Sequence, residues 1–304
     1  PGPVSGSAAS LTVKEVYTKD RFTCVIASDD QAYCAGDNNY GQLGQGTTST
    51  NVWVGKSIPG RAIIPGNPKV DFIRLPYHSG AHTIFYHTVS SGVYMSGDNT
   101  QGTANDGSFS GNVYSTPRQI TSGQYSKVIS VGQEGDTKHG VCLIASTPGV
   151  GSSGLYCMGR NKFGQLGVSC SDVASWQPGG GMALGSPTQV ASPILNEEAN
   201  YQMSSLMVIT TAGDVYAAGD NTYGKLGTNT AYQACNPTFK KVQLPAGVKA
   251  TALANGDEYT AYVLGDNGKV YAMGRNNNGQ LGDGTTTNRN TPVEVKIPRQ
   301  EVLF

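Results

Sequence analysis

The sequence predicts an all-β chain, a five-bladed β-propeller of four-stranded blades, on three observations. A tyrosine-led motif recurs five times, with the tyrosine at positions 33, 94, 156, 216 and 271. The spacings are 61, 62, 60 and 55 residues, and a fixed period marks a repeat architecture whose units bury their faces by stacking. Each period also holds short strand-like runs separated by turn residues, with almost no helical periodicity.

Residues 1–10 are mostly Gly, Ser and Ala around two prolines and read as a linker or chain end. Residues 11–297 read as one propeller domain, and 298–304 as a tail whose Glu301-Val-Leu-Phe304 is a tag remnant set aside from fold reasoning. Strand-like alternation from Leu11 to Tyr17 is expected to complete the last blade and close the ring. Blade one continues with Phe22 to Ser28, Gln31 to Ala35, a loop over Gly36 to Gly41, and an excursion from Asn51 to Pro68 that holds Trp53. Blade two has Val70 to Leu75, His82 to Ser90, Val93 to Ser96 and Pro117 to Ile120. Its Thr103-Ala104-Asn105 replaces a Gln-Leu-Gly, so a core leucine is missing there. Blade three has Val128 to Val131, Val141 to Ala145, Leu155 to Met158, and an insertion from Val168 to Gly185 with Cys170 and Trp176. Blade four begins near Ile194 to Tyr201 and continues with Met203 to Thr210, Val215 to Ala218 and Pro237 to Val242. Blade five has Val248 to Leu253, Thr260 to Leu264, Val270 to Met273 and Thr291 to Val295.

The repeat alignment assigns the cysteines. Cys24 and Cys142 open the matching strings Cys-Val-Ile-Ala-Ser and Cys-Leu-Ile-Ala-Ser, and Cys34 and Cys157 each follow the motif tyrosine. Both pairs therefore face each other across a hairpin, as a cross-strand disulfide requires. The same positions hold Phe85 with Met95, Met207 with Ala217, and Tyr262 with Ala272. Cys170 and Cys235 lie in loops after a Leu-Gly in neighbouring blades and form the third pair. Three disulfides imply an oxidising compartment, so a secreted or cell-surface location is expected. Zinc is disfavoured, since no Cys-x-x-Cys or nearby His spacing occurs.

Lys and Arg number 21 and so do Asp and Glu, and only 14% of residues are charged. Such a surface lacks the basic field that nucleic acid needs. No apolar run approaches the roughly 20 residues that span a bilayer, so direct membrane insertion is not expected.

The string Gly-x-Asn-x-x-Gly-Gln-Leu-Gly after Val-Tyr-x-x-Gly resembles the repeat of the regulator of chromosome condensation family, whose fold is a β-propeller. Gln-Leu-Gly stands at 42, 165 and 280, Lys225-Leu-Gly replaces it once, and one copy is degenerate. The resemblance covers nearly the whole chain, although family members usually have seven blades. It implies one of several functions: nucleotide exchange on a small GTPase, chromatin docking, ultraviolet sensing through a tryptophan cluster, or secreted inhibition of an enzyme such as a β-lactamase. Disulfides and zero net charge disfavour exchange and chromatin work, and two tryptophans are too few for the sensor.

Catalytic, cofactor and metal sites are not expected. No Gly-x-Ser-x-Gly elbow or paired carboxylates mark a nucleophile. Asp37, Asp98 and Asp220 open Asp-Asn loops, but the full calcium loop is absent and they read as solvated turns. Twelve residues before each tyrosine, allowing for the longer hairpin of blade three, stand Arg21, His82, His139, Ser204 and Tyr259. In the family this position is often His and holds the blade; the alternative is a polar ring that lines a ligand site. Trp53, Trp176 and Tyr232 sit on insertions, where aromatics either anchor an interface or cap their own loop. The expected function is an adhesin-like bacterial binding module for a protein or glycan ligand. The alternatives are a secreted inhibitor of a β-lactamase or protease, and a guanine-nucleotide exchange factor.

Overall fold

The computed structural model describes residues 11–297 except 20, 50–55, 76–81, 101, 122–124, 133–138, 146–153, 179–186, 192–204 and 256–258. Five four-stranded sheets follow one another along the chain, each running in chain order. The first holds β1 (Val13–Lys19), β2 (Phe22–Ala27), β3 (Ala32–Gly36) and β4 (Lys56–Arg61). The second holds β5 (Val70–Arg74), β6 (Thr83–Thr88), β7 (Gly92–Asp98) and β8 (Val113–Thr121). The third holds β9 (Tyr125–Gly132), β10 (His139–Ala145), β11 (Gly154–Gly159) and β12 (Val173–Pro178). The fourth holds β13 (Pro187–Ala191), β14 (Ser205–Thr210), β15 (Val215–Gly219) and β16 (Lys240–Lys241). The fifth holds β17 (Ala250–Asn255), β18 (Thr260–Gly265), β19 (Val270–Gly274) and β20 (Arg289–Glu294). This is the all-β, β-propeller class.

The sheets fall into two compact units. One contains the first three sheets (1–160 with 172–177); the other contains the last two, together with 161–171. In the first unit the core forms layers between successive sheets. Strand β6 is buried at all six positions because both its faces are covered. Ile84 and Tyr86 join Cys24, Cys34 and Leu43 on one side, while Phe85 joins Met95, Val141 and Met158 on the other. Strand alternation with period 2 makes that division. In the second unit Met207, Val215, Leu226, Val263 and Met273 form the equivalent layer.

The cross-strand assignments hold residue by residue. Cys24 faces Cys34 and Cys142 faces Cys157, and both pairs are disulfides with Cα atoms 4.1 Å apart. The matching positions pair Phe85 with Met95, Met207 with Ala217, and Tyr262 with Ala272.

Three expectations are corrected. The N-terminal strand does not complete the last sheet: β1 pairs with β2, and β20 supplies the fifth sheet's fourth strand. The connection from Lys19 to Phe22 is too short for β1 to reach any strand but its neighbour. Trp176 lies on β12, not on an unstructured insertion, because the open edge of β11 needs a fourth strand and the insertion provides it. The fourth sheet begins at Pro187–Ala191, while the segment expected there, 194–201, lies outside the described residues.

Candidate functional site

The motif is built on a buried asparagine. Asn38, Asn99, Asn161, Asn221 and Asn276 stand five residues after the five tyrosines and are closed to solvent. Each Oδ1 accepts the amide five residues on, from Leu43, Ala104, Leu166, Leu226 and Leu281, at 2.8–3.0 Å. Each Nδ2 turns outward to hold the loop that follows. Asn161 donates to the carbonyls of Val168, Ser169 and Ser171, Asn221 to those of Thr230 and Ala231, and Asn276 to those of Thr285 and Thr287. An amide side chain carries a carbonyl oxygen that accepts and, on the same planar group, an NH2 that donates two hydrogen bonds, so it can hold the inner turn and the outer loop at once. Ala104 takes the place of the missing leucine, fully buried, with the asparagine bond retained.

The glutamine of Gln-Leu-Gly has a separate task. The amides of Tyr40, Phe163 and Asn278 donate to Gln42, Gln165 and Gln280 Oε1 at 2.9–3.2 Å. Lys225 carries donors only and cannot accept such a bond. Its Nζ instead lies 2.7 Å from Asp220 Oδ2, with both side chains buried. That oxygen makes no aligned hydrogen bond, so the pair meets as charges. Tyr223, without the acceptor, takes φ +63° in a 3-10 turn over Thr222–Gly224. Its ring then meets Tyr259 edge-on at 5.0 Å, and the Arg275 guanidinium stacks over both rings at 5.4 and 5.3 Å. Asp37 and Asp220 are buried, a correction to their reading as solvated turns. Their carboxylates accept the amides of Asn39 and Thr222.

The positions twelve before each tyrosine share a backbone role. The carbonyls of Arg21, His82 and Tyr259 accept the amides of Asp37, Asp98 and Arg275 at 2.9–3.0 Å. Their side chains differ. Arg21 is exposed, His82 stacks on Tyr40 of the preceding repeat at 4.0 Å, and Tyr259 is buried against Tyr223. His139 lies on β10 with its side chain outside the description, as is that of Trp176; Trp53 and Ser204 fall outside the described residues altogether. Among the described residues no group of three or more His, Cys, Asp or Glu is placed to hold a metal ion.

Of the three insertion aromatics, Tyr232 is the one whose side chain is described, and it is 54% exposed. Its segment is held from beneath on both sides. The amide of Asn221 donates to the Gln233 carbonyl at 2.8 Å, and that of Gly219 to the Asn236 carbonyl at 2.8 Å. Asn236 Nδ2 returns bonds to the carbonyls of Gly219 and Gln233. Cys235 is joined to Cys170, with Cα atoms 6.3 Å apart, as the sequence indicated. The tyrosine is therefore exposed on a loop whose backbone is already ordered, which lowers the entropy cost of binding through it. Elsewhere in this unit, a cavity of about 170 Å³ is lined by Leu244, Pro245, Val248 and Asp214. Lys241 and Lys249 both pair with Asp214 there, at 3.0 and 3.2 Å.

Two family models described as regulator of chromosome condensation (RCC1) repeat match the chain, one over residues 212–263 and 267–303 and another over 13–42. The chain is 32% identical over 145 residues to the probable E3 ubiquitin-protein ligase HERC4 of Homo sapiens, and equally to that of Rattus norvegicus. The match takes in 48% of this chain but 13% of those relatives. Among solved structures, human WBSCR16 superposes with a TM-score of 0.62 at 17% identity, covering 95% of this chain and 68% of that one. Prp20p from Saccharomyces cerevisiae, described with its binding properties to Gsp1p and histones, gives 0.63 at 15% identity over 94% of this chain and 64% of its own. The same yeast protein bound to Kap60 gives 0.65 at 15% identity, covering 94% and 62%. At such identities the likeness shows the fold.

Proposed function

The chain carries repeats of the regulator of chromosome condensation family, and on that premise we propose that it is a binding module, displayed outside the cell, that engages a protein or glycan partner through loops between its strands. One observation carries the reading: Tyr232 stands 54% exposed on a loop pinned by a disulfide and by Asn221 and Asn236. Large aromatics on ordered, exposed loops are frequent interface anchors. Three disulfides support an oxidising compartment, and adhesion between bacterial cells or to a matrix is the use that fits it. The test is binding of labelled protein to arrays of glycans and extracellular matrix proteins. Tyr232→Ala is expected to lower the affinity for the bound component by about tenfold or more; unchanged affinity in a folded variant rejects the anchor. Trp53→Ala and Trp176→Ala extend the test to the other two insertion aromatics.

A second reading, guanine-nucleotide exchange on a small GTPase, is favoured by the likeness to Prp20p, described as binding Gsp1p. Fluorescent GDP release from a small GTPase separates the two. Acceleration by this chain supports exchange, and an unchanged release rate removes it. Inhibition of a secreted enzyme such as a β-lactamase or protease would show in a direct activity assay.

A further inference from the structure

The three disulfides differ in what surrounds them. Cys24, Cys34, Cys142 and Cys157 are all 0% exposed. Cys235 is exposed and Cys170 partly so. Exchange at a disulfide needs a thiolate to approach one sulfur along the line of the S–S bond, so solvent access decides which bridge reacts. The two core bridges are closed to such an attack while the fold stands.

The anchoring around Cys170 and Cys235 is also divided. Residues 168–171 hang from Asn161, and 230–236 hang from Asn221 and Asn236. Between the two segments the bridge is the covalent link. Beside it run the 3.3 Å bond from the Asn236 amide to the Phe163 carbonyl and the packing of Gly164 on Pro237. Each segment keeps its own buried asparagine when the bridge is opened, and no sheet depends on it for a strand.

We propose that the Cys170–Cys235 bridge is a thiol–disulfide exchange site that a soluble dithiol opens in the folded protein, loosening the Tyr232 loop while the five sheets remain intact. One thiolate of the dithiol attacks Cys235 Sγ, the S–S bond breaks, and Cys170 leaves as a thiolate that takes up a proton. The second thiol of the reductant then displaces Cys235 from the mixed disulfide, giving a second protein thiol and the oxidised, cyclic reductant. Two electrons pass from the dithiol to the bridge. The inference rests on the loop geometry and not on the identity of any partner.

The test treats the folded protein with a graded small dithiol, alkylates it, and maps the modified cysteines by mass spectrometry. Cys170 and Cys235 are expected to label at least about tenfold faster than the other four. In protein reduced at those two alone, hydrogen exchange at the Asn221 and Asn236 amides is expected to rise about tenfold, while the strand amides of β14 and β18 hold. Labelling of all six cysteines together, or none at Cys170 and Cys235, overturns the proposal. So does unchanged exchange at both loop amides. A Cys170→Ser, Cys235→Ser double variant should show the loosened pattern without reductant, and the oxidised pattern in that variant also counts against it. No arm reads binding, so failure here is distinguishable from failure of Tyr232 as an anchor.

Discussion

Lys225 Nζ lies 2.7 Å from Asp220 Oδ2, and the two side chains are 2% and 0% exposed. This buried ion pair stands where three sister repeats carry a glutamine, and blade one combines a buried aspartate, Asp37, with Gln42. Lys225→Gln recreates that combination and should be tolerated within about 1 kcal/mol. Lys225→Met leaves Asp220 charged and uncompensated and should cost about 3–5 kcal/mol, most of it recovered by adding Asp220→Asn. Urea unfolding of the three variants measures all of this.

Asn276 is fully buried; it accepts the Leu281 amide and donates to Thr285, Thr287 and Asp283. Asn276→Ala strands the Leu281 amide and frees the following loop. The expected loss is about 2–4 kcal/mol in urea unfolding. Faster hydrogen exchange at Leu281 should accompany it.

Gly97 has φ +113°, and a Cβ there would run into the His82 carbonyl that anchors the Asp98 amide. Gly97→Ala should therefore cost about 3 kcal/mol or more, from the clash and the backbone strain together. Gly107, at φ +77°, has open space where its Cβ would lie. Its alanine variant should lose only the strain, about 1–2 kcal/mol. Equal losses in thermal unfolding would remove the clash as the cause.

Burial opposes ionisation of Asp283, but hydrogen bonds from Thr285 and Arg289 outweigh it and hold the carboxyl well below its ordinary value. A folded value below the unfolded one contributes stability above about pH 4, lost as pH falls through the folded value. Wild type should exceed Asp283→Asn in stability at pH 7, and the gap should close progressively below pH ~4. At the alkaline end the sign reverses. Burial of Tyr17, with the Glu15 carboxylate beside it, pushes its phenol up to about 12. Its contribution is full below pH ~10 and fades as pH rises through 12. Stability against pH for wild type, Asp283→Asn and Tyr17→Phe checks both limbs.

Tyr232 is 54% exposed. Tyr232→Ala should leave thermal stability unchanged within about 0.5 kcal/mol. A larger loss would show that the ring caps its own loop.

The repeat could be read from sequence because every copy faces the same packing problem. The strand register followed from it: aligning the copies placed Cys24 opposite Cys34 and, by the same frame, Phe85 opposite Met95. The asparagine was hidden by its residue type. Asn in a Gly-rich string reads as an exposed turn, and only its recurrence at 38, 99, 161, 221 and 276 signals a buried hub.

The sequence by itself determined the number of sheets, the facing pairs within each hairpin and the two disulfides that cross hairpins, because these depend on periodicity and short-range alternation. Tertiary structure decided the rest. Trp176 became a strand residue because β11 offered an open edge, and β1 stayed with β2 because the chain between them is short. Tyr223 took a positive φ in the repeat whose Lys225 cannot accept the bond that glutamine accepts elsewhere. Each outcome turns on which hydrogen-bonding group meets which in space, and that meeting is not written in any single stretch of the chain.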